Sequence, residues 1–375
     1  MKILITSSVF PPEAAGPATY AYEFSKRATA LGHKITVITL ADSEVERPNG
    51  IDIRKIKRSR NKLLRQLSLF INILKAARHC DIIYAQNPAA IGLPSVLAGR
   101  LCGRPVIVKY VGDTAWEKAF REGKTKKFLE DFLKNPDANR NILRVERFVF
   151  RHADRIITPS NFLSRMLTKY HNVPKEKIVI IPNAVDLAAL KAIRPTKQNA
   201  IITVARLVPW KGIKELIRVM PQIWEKTGAE LWIVGDGPYR SELEALAGEL
   251  CPHTIHFFGN LSHEDTIQKI ASARVLVLNS LYEGMSHVLL EAMALQTPIV
   301  ATNVCGNPEL VENKKTGFLI EPLNQEELRN TIIRAVEGNS NKLIKAAKTK
   351  VRAHSWDTVM ERTLDVLSHA SLRVK

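Results

Sequence analysis

Arg274-Val-Leu-Val-Leu278 is a short, almost wholly apolar run, and it passes through Asn279-Ser280 into Leu281-Tyr-Glu283-Gly-Met-Ser-His-Val-Leu-Leu-Glu291-Ala-Met-Ala294. A brief β-branched strand feeding a helical pattern is the repeating unit of a parallel sheet buried on both faces. The unit recurs along the chain, at Lys2-Ile-Leu-Ile-Thr6, Lys34-Ile-Thr-Val-Ile-Thr39, Asp81-Ile-Ile-Tyr-Ala85, Pro105-Val-Ile-Val-Lys109 and Asp154-Arg-Ile-Ile-Thr158. It returns at Ala200-Ile-Ile-Thr-Val-Ala205, Glu230-Leu-Trp-Ile-Val234 and Pro298-Ile-Val-Ala301. The fold class is therefore α/β, with doubly wound, Rossmann-like parallel sheets.

A chain of 375 residues exceeds what one core usually serves. The strand pattern lapses from Ile181-Pro-Asn-Ala-Val-Asp186 to Arg194-Pro195 and restarts at Ala200. This predicts two domains, 1–185 and 186–355, facing each other with the carboxyl ends of their strands lining a cleft.

Composition narrows the class. With 45% hydrophobic and 25% charged residues, a disordered or fibrous chain is excluded. The chain carries 55 Lys and Arg against 37 Asp and Glu, a formal net charge of +18. Residues 1–185 hold 32 of those cations and only 16 of the acids, so the basic partner surface is expected in the first half. Cys80, Cys102, Cys251 and Cys305 lie too far apart for a zinc knuckle and are too few for a disulfide framework, which fits a reducing cytoplasm. Met1–Ser8 is too brief for a signal-peptide core, and no apolar stretch approaches the roughly 20 residues of a membrane span. A cytoplasmic protein follows, with any membrane contact peripheral, at the inner face of the plasma membrane.

Familiar nucleotide motifs are missing. Gly235-Asp-Gly237 is followed by Arg240 where a dinucleotide fingerprint needs a third glycine, and no G-x-x-x-x-G-K-[ST] occurs. Pro11-Pro-Glu-Ala-Ala-Gly16 could still bring backbone amides to a phosphate at a helix entry near Ala18, or be an ordinary connecting loop.

The second half offers a denser constellation. Glu283 and Glu291 stand eight residues apart, a spacing that returns close to the same direction on a helix and sets both on one side of a helix entry, with Glu283 expected at the strand's carboxyl end and Glu291 within the helix. Carboxylates accept paired bonds from vicinal hydroxyls, so one could hold a ribose and the other a sugar. The amides of Gly284, Met285 and Ser286 at the helix entry would be exposed donors for phosphate. Upstream, Arg206 ends a strand and Lys211 precedes a helix, the fork and the point charge that suit a diphosphate.

Arg206-x4-Lys211-Gly, Val234-Gly-Asp-Gly-Pro238, Glu283-x7-Glu291, Thr297-Pro-Ile-Val-Ala301 and Pro308-Glu-Leu310 together resemble the retaining glycosyltransferases of family 4, which have the GT-B fold. Ala30-Leu-Gly-His33, Ala153-Asp-Arg155, Pro159-Ser160 and Ile181–Asp186 extend the resemblance over nearly the whole chain. It implies transfer of a sugar from a nucleotide-diphosphate sugar to a glycan or lipid-linked acceptor, in cell-surface polysaccharide or glycolipid synthesis. It implies that Arg206 and Lys211 bind the diphosphate, Glu291 the ribose and Glu283 the transferred sugar, while Gly16 approaches the phosphates. No cofactor or metal is expected, and no Asp-x-Asp motif is present to hold one. The segment at about 356–375 is expected to form a helix crossing back onto the first domain.

The sequence departs from the family at four places. Ala15 stands where the first loop often has a glycine, Gln296 where a glycine commonly ends the segment, and Cys305-Gly306 where a Gly-Gly pair is usual. Asp113, in Lys109-Tyr-Val-Gly-Asp113, stands where many relatives carry a histidine after this strand. It could orient a donor or acceptor hydroxyl, or simply cap a helix.

From Arg54 to Arg65 there are seven cations and no acid, including Arg54, Lys55, Lys57 and Arg58, leading into a helix with Leu63, Leu67, Phe70 and Leu74. Such a segment suits an anionic membrane surface or an anionic acceptor, each cation near such a surface being worth about 1 kcal/mol. Leu67, Phe70 and Leu74 are expected to pack on the sheet. A second basic region, Arg121 to Arg151, is expected to border the acceptor or a membrane. Two alternatives stand beside the transferase: a GT-B enzyme of another reaction type, such as a phosphorylase or nucleotide-sugar epimerase, and a polyanion-binding protein. Nucleic acid is not an expected partner, because stacking and recognition motifs are missing.

Overall fold

Parallel strands need helical crossovers, and the chain supplies them in two units. The structure is a computed structural model that describes residues 1–13, 16–193 and 195–372. Ala15, one of the family departures, Arg194 in the linker stretch and residues 373–375 of the expected C-terminal helix lie outside the described residues.

The first unit comprises Met1–Ala119, Glu130–Pro182 and the chain from Asp357 onward. Its strands are β1 (Lys2–Ser7), β2 (Lys34–Leu40), β3 (Ile51–Ile56), β4 (Ile82–Ala85), β5 (Val106–Lys109), β6 (Arg155–Thr158) and β7 (Ile178–Ile180). They form one sheet in the order β3-β2-β1-β4-β5-β6-β7, with every pairing parallel. Ile3 pairs with Ile35 on one side and Ile82 on the other, so the strand order reverses beside β1. The helix Trp356–Leu372 returns to this unit, where Arg362 donates to the Ile180 carbonyl at 2.7 Å.

The second unit comprises Asn183–Trp356 with Phe120–Leu129. It contains β8 (Ala200–Val204), β9 (Glu230–Val234), β10 (Ile255–Gly259), β11 (Val275–Leu278), β12 (Ile299–Thr302) and β13 (Phe318–Ile320), parallel throughout, in the order β10-β9-β8-β11-β12-β13. Strand alternation sends Val275 and Val277 into one core with Ile201, Ile233 and Val300. Leu276 and Leu278 enter the opposite core with Ile202, Trp232 and Ile299. Both faces are buried, which is why β11 carries no alternating polar residues.

The basic segment differs from its expected form. Arg54 and Lys55 belong to β3, an edge strand, where Arg54 pairs with Asp52 at 2.8 Å and Lys55 pairs with Glu44. Arg58 donates to the Ser8 and Leu40 carbonyls at 3.1 Å and to Glu13 at 2.5 Å, while Lys57 is exposed.

The helix Lys62–Ala77 buries Leu69, Ile73, Ala76 and Ala77. Leu67 is 54% exposed, and Phe70 and Leu74 are half-buried, so the expectation that these three form the inward face is corrected. The inward row is set by the i, i+4, i+7 spacing of Leu69, Ile73 and Ala76.

Candidate active site

Ligands of doubly wound sheets bind outside the carboxyl ends of the strands, where the strand order reverses. In the second unit that point lies between β8 and β11, because the chain runs β8, β9, β10 outward and then places β11 on the other side of β8. Arg206 follows β8 by two residues, Lys211 ends the 3₁₀ turn Pro209–Lys211, and Glu283 follows β11.

The structure brings Lys211 and Glu283 together. The Lys211 ammonium lies 2.5 Å from Glu283 Oε1, and the Ser280 hydroxyl donates to the same oxygen at 2.9 Å. Arg206 is exposed, and among the described residues no side-chain hydrogen bond or ion pair engages its guanidinium. A cation with no protein partner among the described residues, five residues from one held by a carboxylate, leaves a positive charge free for an anion.

Hydrogen bonds to backbone carbonyls fasten these loops to one another. Asn279 Nδ2 donates to the Gly212 carbonyl at 2.9 Å, and the Leu281 amide donates to the Trp210 carbonyl at 2.7 Å. The Gly306 amide donates to the Glu283 carbonyl at 3.0 Å. A Cβ on Gly212 would lie 2.0 Å from the Asn279 carbonyl oxygen, and one on Gly306 would lie 2.1 Å from that of Gly284. Both approaches require glycine.

Glu283 lies beyond the carboxyl end of β11 and Glu291 within the following helix, as expected, but the helical phase invoked to set both on one side is corrected. The helix begins at His287, capped by Ser286, so Glu283 lies in the loop before it and helical phase does not relate the two. Glu291 sits in the second turn, 15% exposed, with His263 Nδ1 at 3.9 Å. Burial pushes its carboxyl up to about 8. Gly284, Met285 and Ser286 are buried residues, not exposed ones. Asn183 holds this corner, donating from Nδ2 to the Met285 carbonyl at 2.9 Å. Among the described residues, no acceptor is recorded for the amides of Gly284, Met285 and Ser286.

Two further candidates lie in the first unit. Gly16 opens the helix Gly16–Ala30 and is exposed. Asp113 is fully buried, and its Oδ1 accepts from the Trp116 amide at 2.8 Å. Its other oxygen lies 3.4 Å from the buried His171 ring, and the neighbouring Glu146 carboxyl is held well above its ordinary range by burial and by the Asp113 charge. In this arrangement the side chain has the contacts of a helix cap and is closed to substrate.

Sequence reasoning overlooked Asn183, Asn279 and Ser280. For the last two a signal existed, since a polar pair directly ends the apolar strand β11.

Residues 14–189 match the family model described as Glycosyltransferase Family 4, and residues 189–350 match that of Glycosyl transferases group 1. The chain belongs to glycosyltransferase family 4. An uncharacterised glycosyltransferase of Methanocaldococcus jannaschii is 26% identical to this glycosyltransferase, over 98% of this chain and 97% of its own length. A phosphatidylinositol monomannoside mannosyltransferase of Corynebacterium glutamicum, GDP-mannose-dependent by name, is 31% identical over 44% of this chain and 45% of its own. Among solved structures, Anabaena HepE with UDP and glucose has a TM-score of 0.80 at 22% identity, covering 98% of this chain and all of that one. Sucrose-phosphate synthase of Thermosynechococcus elongatus has a TM-score of 0.80 at 21% identity, covering 98% of each chain. The glycosyltransferase thus has the GT-B fold, with two Rossmann-like α/β domains.

Proposed function

We propose that this glycosyltransferase moves a hexosyl group from a nucleoside diphosphate sugar to a lipid-linked or saccharide acceptor, with retention of configuration and without a metal ion, in building a cell-surface polysaccharide or glycolipid. The observation that carries the reading is the position of Arg206 and Lys211 on one side of the β8/β11 reversal and Glu283 on the other. A departing diphosphate gains negative charge as the glycosidic bond breaks, and cations fixed in advance stabilise it without reorganisation. Arg206 forks onto the diphosphate, Lys211 adds a point charge, and the amides of Gly284, Met285 and Ser286 donate at the helix entry. Glu291 accepts from the ribose hydroxyls, and Glu283, released from Lys211 when phosphate arrives, accepts from the transferred sugar. Anabaena HepE structures holding UDP and UDP-glucose support a nucleotide-sugar donor.

A lipid-linked acceptor is supported by the name of the Corynebacterium relative and by one surface of the first unit. Among the described residues no helix is long and apolar enough to cross a membrane. The helix Lys62–Ala77, however, exposes Leu63 at 82%, Leu64 at 58% and Leu67 at 54%, and between Ile53 and Gly112 the sole acid is Asp81. Apolar residues beside Arg60, Lys62 and Arg65, which form no ion pair among the described residues, fit peripheral contact with an anionic bilayer. We assign that contact to this helix face ahead of Arg54, Lys55 and Arg58, whose charges are already paired.

The donor assignment is tested by calorimetric titration with UDP, GDP and ADP in the presence of a chelator. Arg206→Ala, Lys211→Ala and Glu291→Ala should each weaken the preferred nucleotide by about tenfold or more. Unchanged affinity in all three variants overturns the assignment. A hydrolysis screen of UDP-, GDP- and ADP-sugars then identifies the donor.

A further inference from the structure

The helix Arg140–His152 carries Arg140, Arg144, Arg147 and Arg151 at a spacing of i, i+4, i+7 and i+11, a single stripe along one side. Its opposite side is buried through Leu143, Glu146, Val149 and Phe150. Like charges three and four residues apart destabilise a helix unless something answers them. Its one acid, Glu146, is buried on the far side and so leaves the stripe unopposed.

Three of these arginines line a cavity of about 440 Å³ in the first unit, together with Lys177, Phe148 and His171, and among the described residues no acid lines it. The protein groups that engage the cations are weak counterparts to their charge. Arg147 donates to the Tyr170 carbonyl at 3.2 Å, and Lys177 donates to the Arg151 and Ala153 carbonyls at 2.8 and 3.0 Å. Arg144 reaches only Asn141 Oδ1, at 3.3 Å, and among the described residues no side-chain partner is recorded for Arg151. Phe148 is exposed at the rim, with its ring 4.2 Å from that of His152. His171 is buried, with its Nε2 facing Asp113 Oδ2 at 3.4 Å, so the cavity's anion-binding charge is that of Arg144, Arg147, Arg151 and Lys177.

We propose that this cavity is a second anion site, separate from the donor-binding residues, and that it takes a phosphate group carried on a larger body. Guanidinium forks match the oxygens of a phosphate in pairs, and the absence of a lining carboxylate leaves the charge for a ligand. The exposed Phe148 face gives the rest of the ligand an apolar surface to lie against. The volume lies within the range of small-molecule sites. The phosphate belongs either to a soluble phosphorylated sugar or to a lipid headgroup, two sources with the same recognition chemistry.

The test uses the full chain with Arg206→Ala and Lys211→Ala, which disables the proposed donor site, titrated with sodium pyrophosphate at low ionic strength. Saturable binding is expected to remain, and adding Arg144→Gln and Arg151→Gln should weaken it by about tenfold or more. Neutralising Lys26 and Lys126, exposed cations that do not line the cavity, should change it less than about twofold. No saturable binding, or an equal loss from both pairs of substitutions, overturns the proposal. Survival of this binding while nucleotide binding fails to respond to Arg206→Ala, Lys211→Ala and Glu291→Ala alike would overturn the donor assignment and leave the second site standing.

The source follows from vesicles of phosphatidylcholine with phosphatidylglycerol, using the otherwise unaltered chain. Retention that falls with Arg144→Gln and Arg151→Gln identifies a headgroup. Unchanged retention alongside lost pyrophosphate binding identifies a soluble phosphate.

Discussion

Lys211 and Glu283 are 72 residues apart in sequence, and their charged atoms lie 2.5 Å apart at the reversal between β8 and β11. The pair occupies the cation that the proposed donor needs, so binding must draw Lys211 partly away from Glu283. Glu283→Gln should therefore leave nucleoside diphosphate affinity equal or tighter, while lowering kcat by about tenfold or more, because the sugar loses its carboxylate. Lys211→Met should do the reverse at the binding step, weakening the nucleotide. Calorimetry and initial rates on the two variants separate these effects, and parallel losses in both quantities for Glu283→Gln would contradict the assignment.

Two family departures fall at strained backbone positions. Gln296, where relatives commonly carry glycine, caps the helix His287–Leu295 with φ +62°, and Cys305 has φ +52°. Left-handed backbone costs an ordinary residue roughly 1 kcal/mol more than glycine. Gln296 is exposed, and its amide already makes the capping bonds to the Ala292 and Met293 carbonyls. Gln296→Gly should therefore stabilise the protein by about 0.5–1 kcal/mol, read as a higher urea midpoint with an unchanged slope. A lower midpoint would show that the side chain contributes more than the backbone strain costs.

The sequence exposes the interior of this fold better than its borders. All nine strands read from apolar runs are interior to their sheets, whereas the four that were not read, β3, β7, β10 and β13, are the four edges. An interior strand is buried on both faces and against two neighbours, so its composition is distinctive. An edge strand such as Ile51–Ile56 admits Asp52, Arg54 and Lys55 and loses that signature. Within the site, Arg206, Lys211 and Glu283 were legible because each lies in a loop between a strand's carboxyl end and the next helix. Their pairing was not, since nothing local records a contact across 72 residues. The helical phase of Glu283 and Glu291 misled because the helix starts four residues after Glu283.

Arg58 and Leu63 separate stability from membrane contact. Arg58 satisfies the Ser8 and Leu40 carbonyls and pairs with Glu13, so Arg58→Ala should destabilise the protein by about 1–3 kcal/mol with little effect on vesicle binding beyond one charge. Leu63→Asn with Leu67→Asn touches side chains that are largely exposed, and should leave the urea midpoint nearly unchanged. The same pair should reduce sedimentation with phosphatidylglycerol vesicles by about tenfold or more, since each buried methylene contributes about 0.8 kcal/mol. Equal sedimentation of this pair and the unaltered chain would rule out the helix face.

Glu291 gives the protein a predicted pH dependence with a definite sign. Burial raises its carboxyl from an ordinary 4.5 to about 8, so the folded chain keeps a proton that the unfolded chain releases. Between about 4.5 and 8 the folded state binds more protons, and stability contributed by this group falls as pH rises, levelling off above about 8. Glu291→Gln should flatten that part of the profile, measured as urea midpoints from pH 5 to 8. Ribose hydroxyls donate best to the ionised form, so nucleotide binding should expel the proton and tighten as pH rises toward 8. Calorimetry in buffers of different ionisation enthalpy reads the released proton directly. With Glu291→Gln both the proton release and the pH dependence should vanish. Proton-neutral binding by the unaltered chain between pH 6 and 7 would remove Glu291 from the ribose and leave its raised carboxyl a purely structural feature.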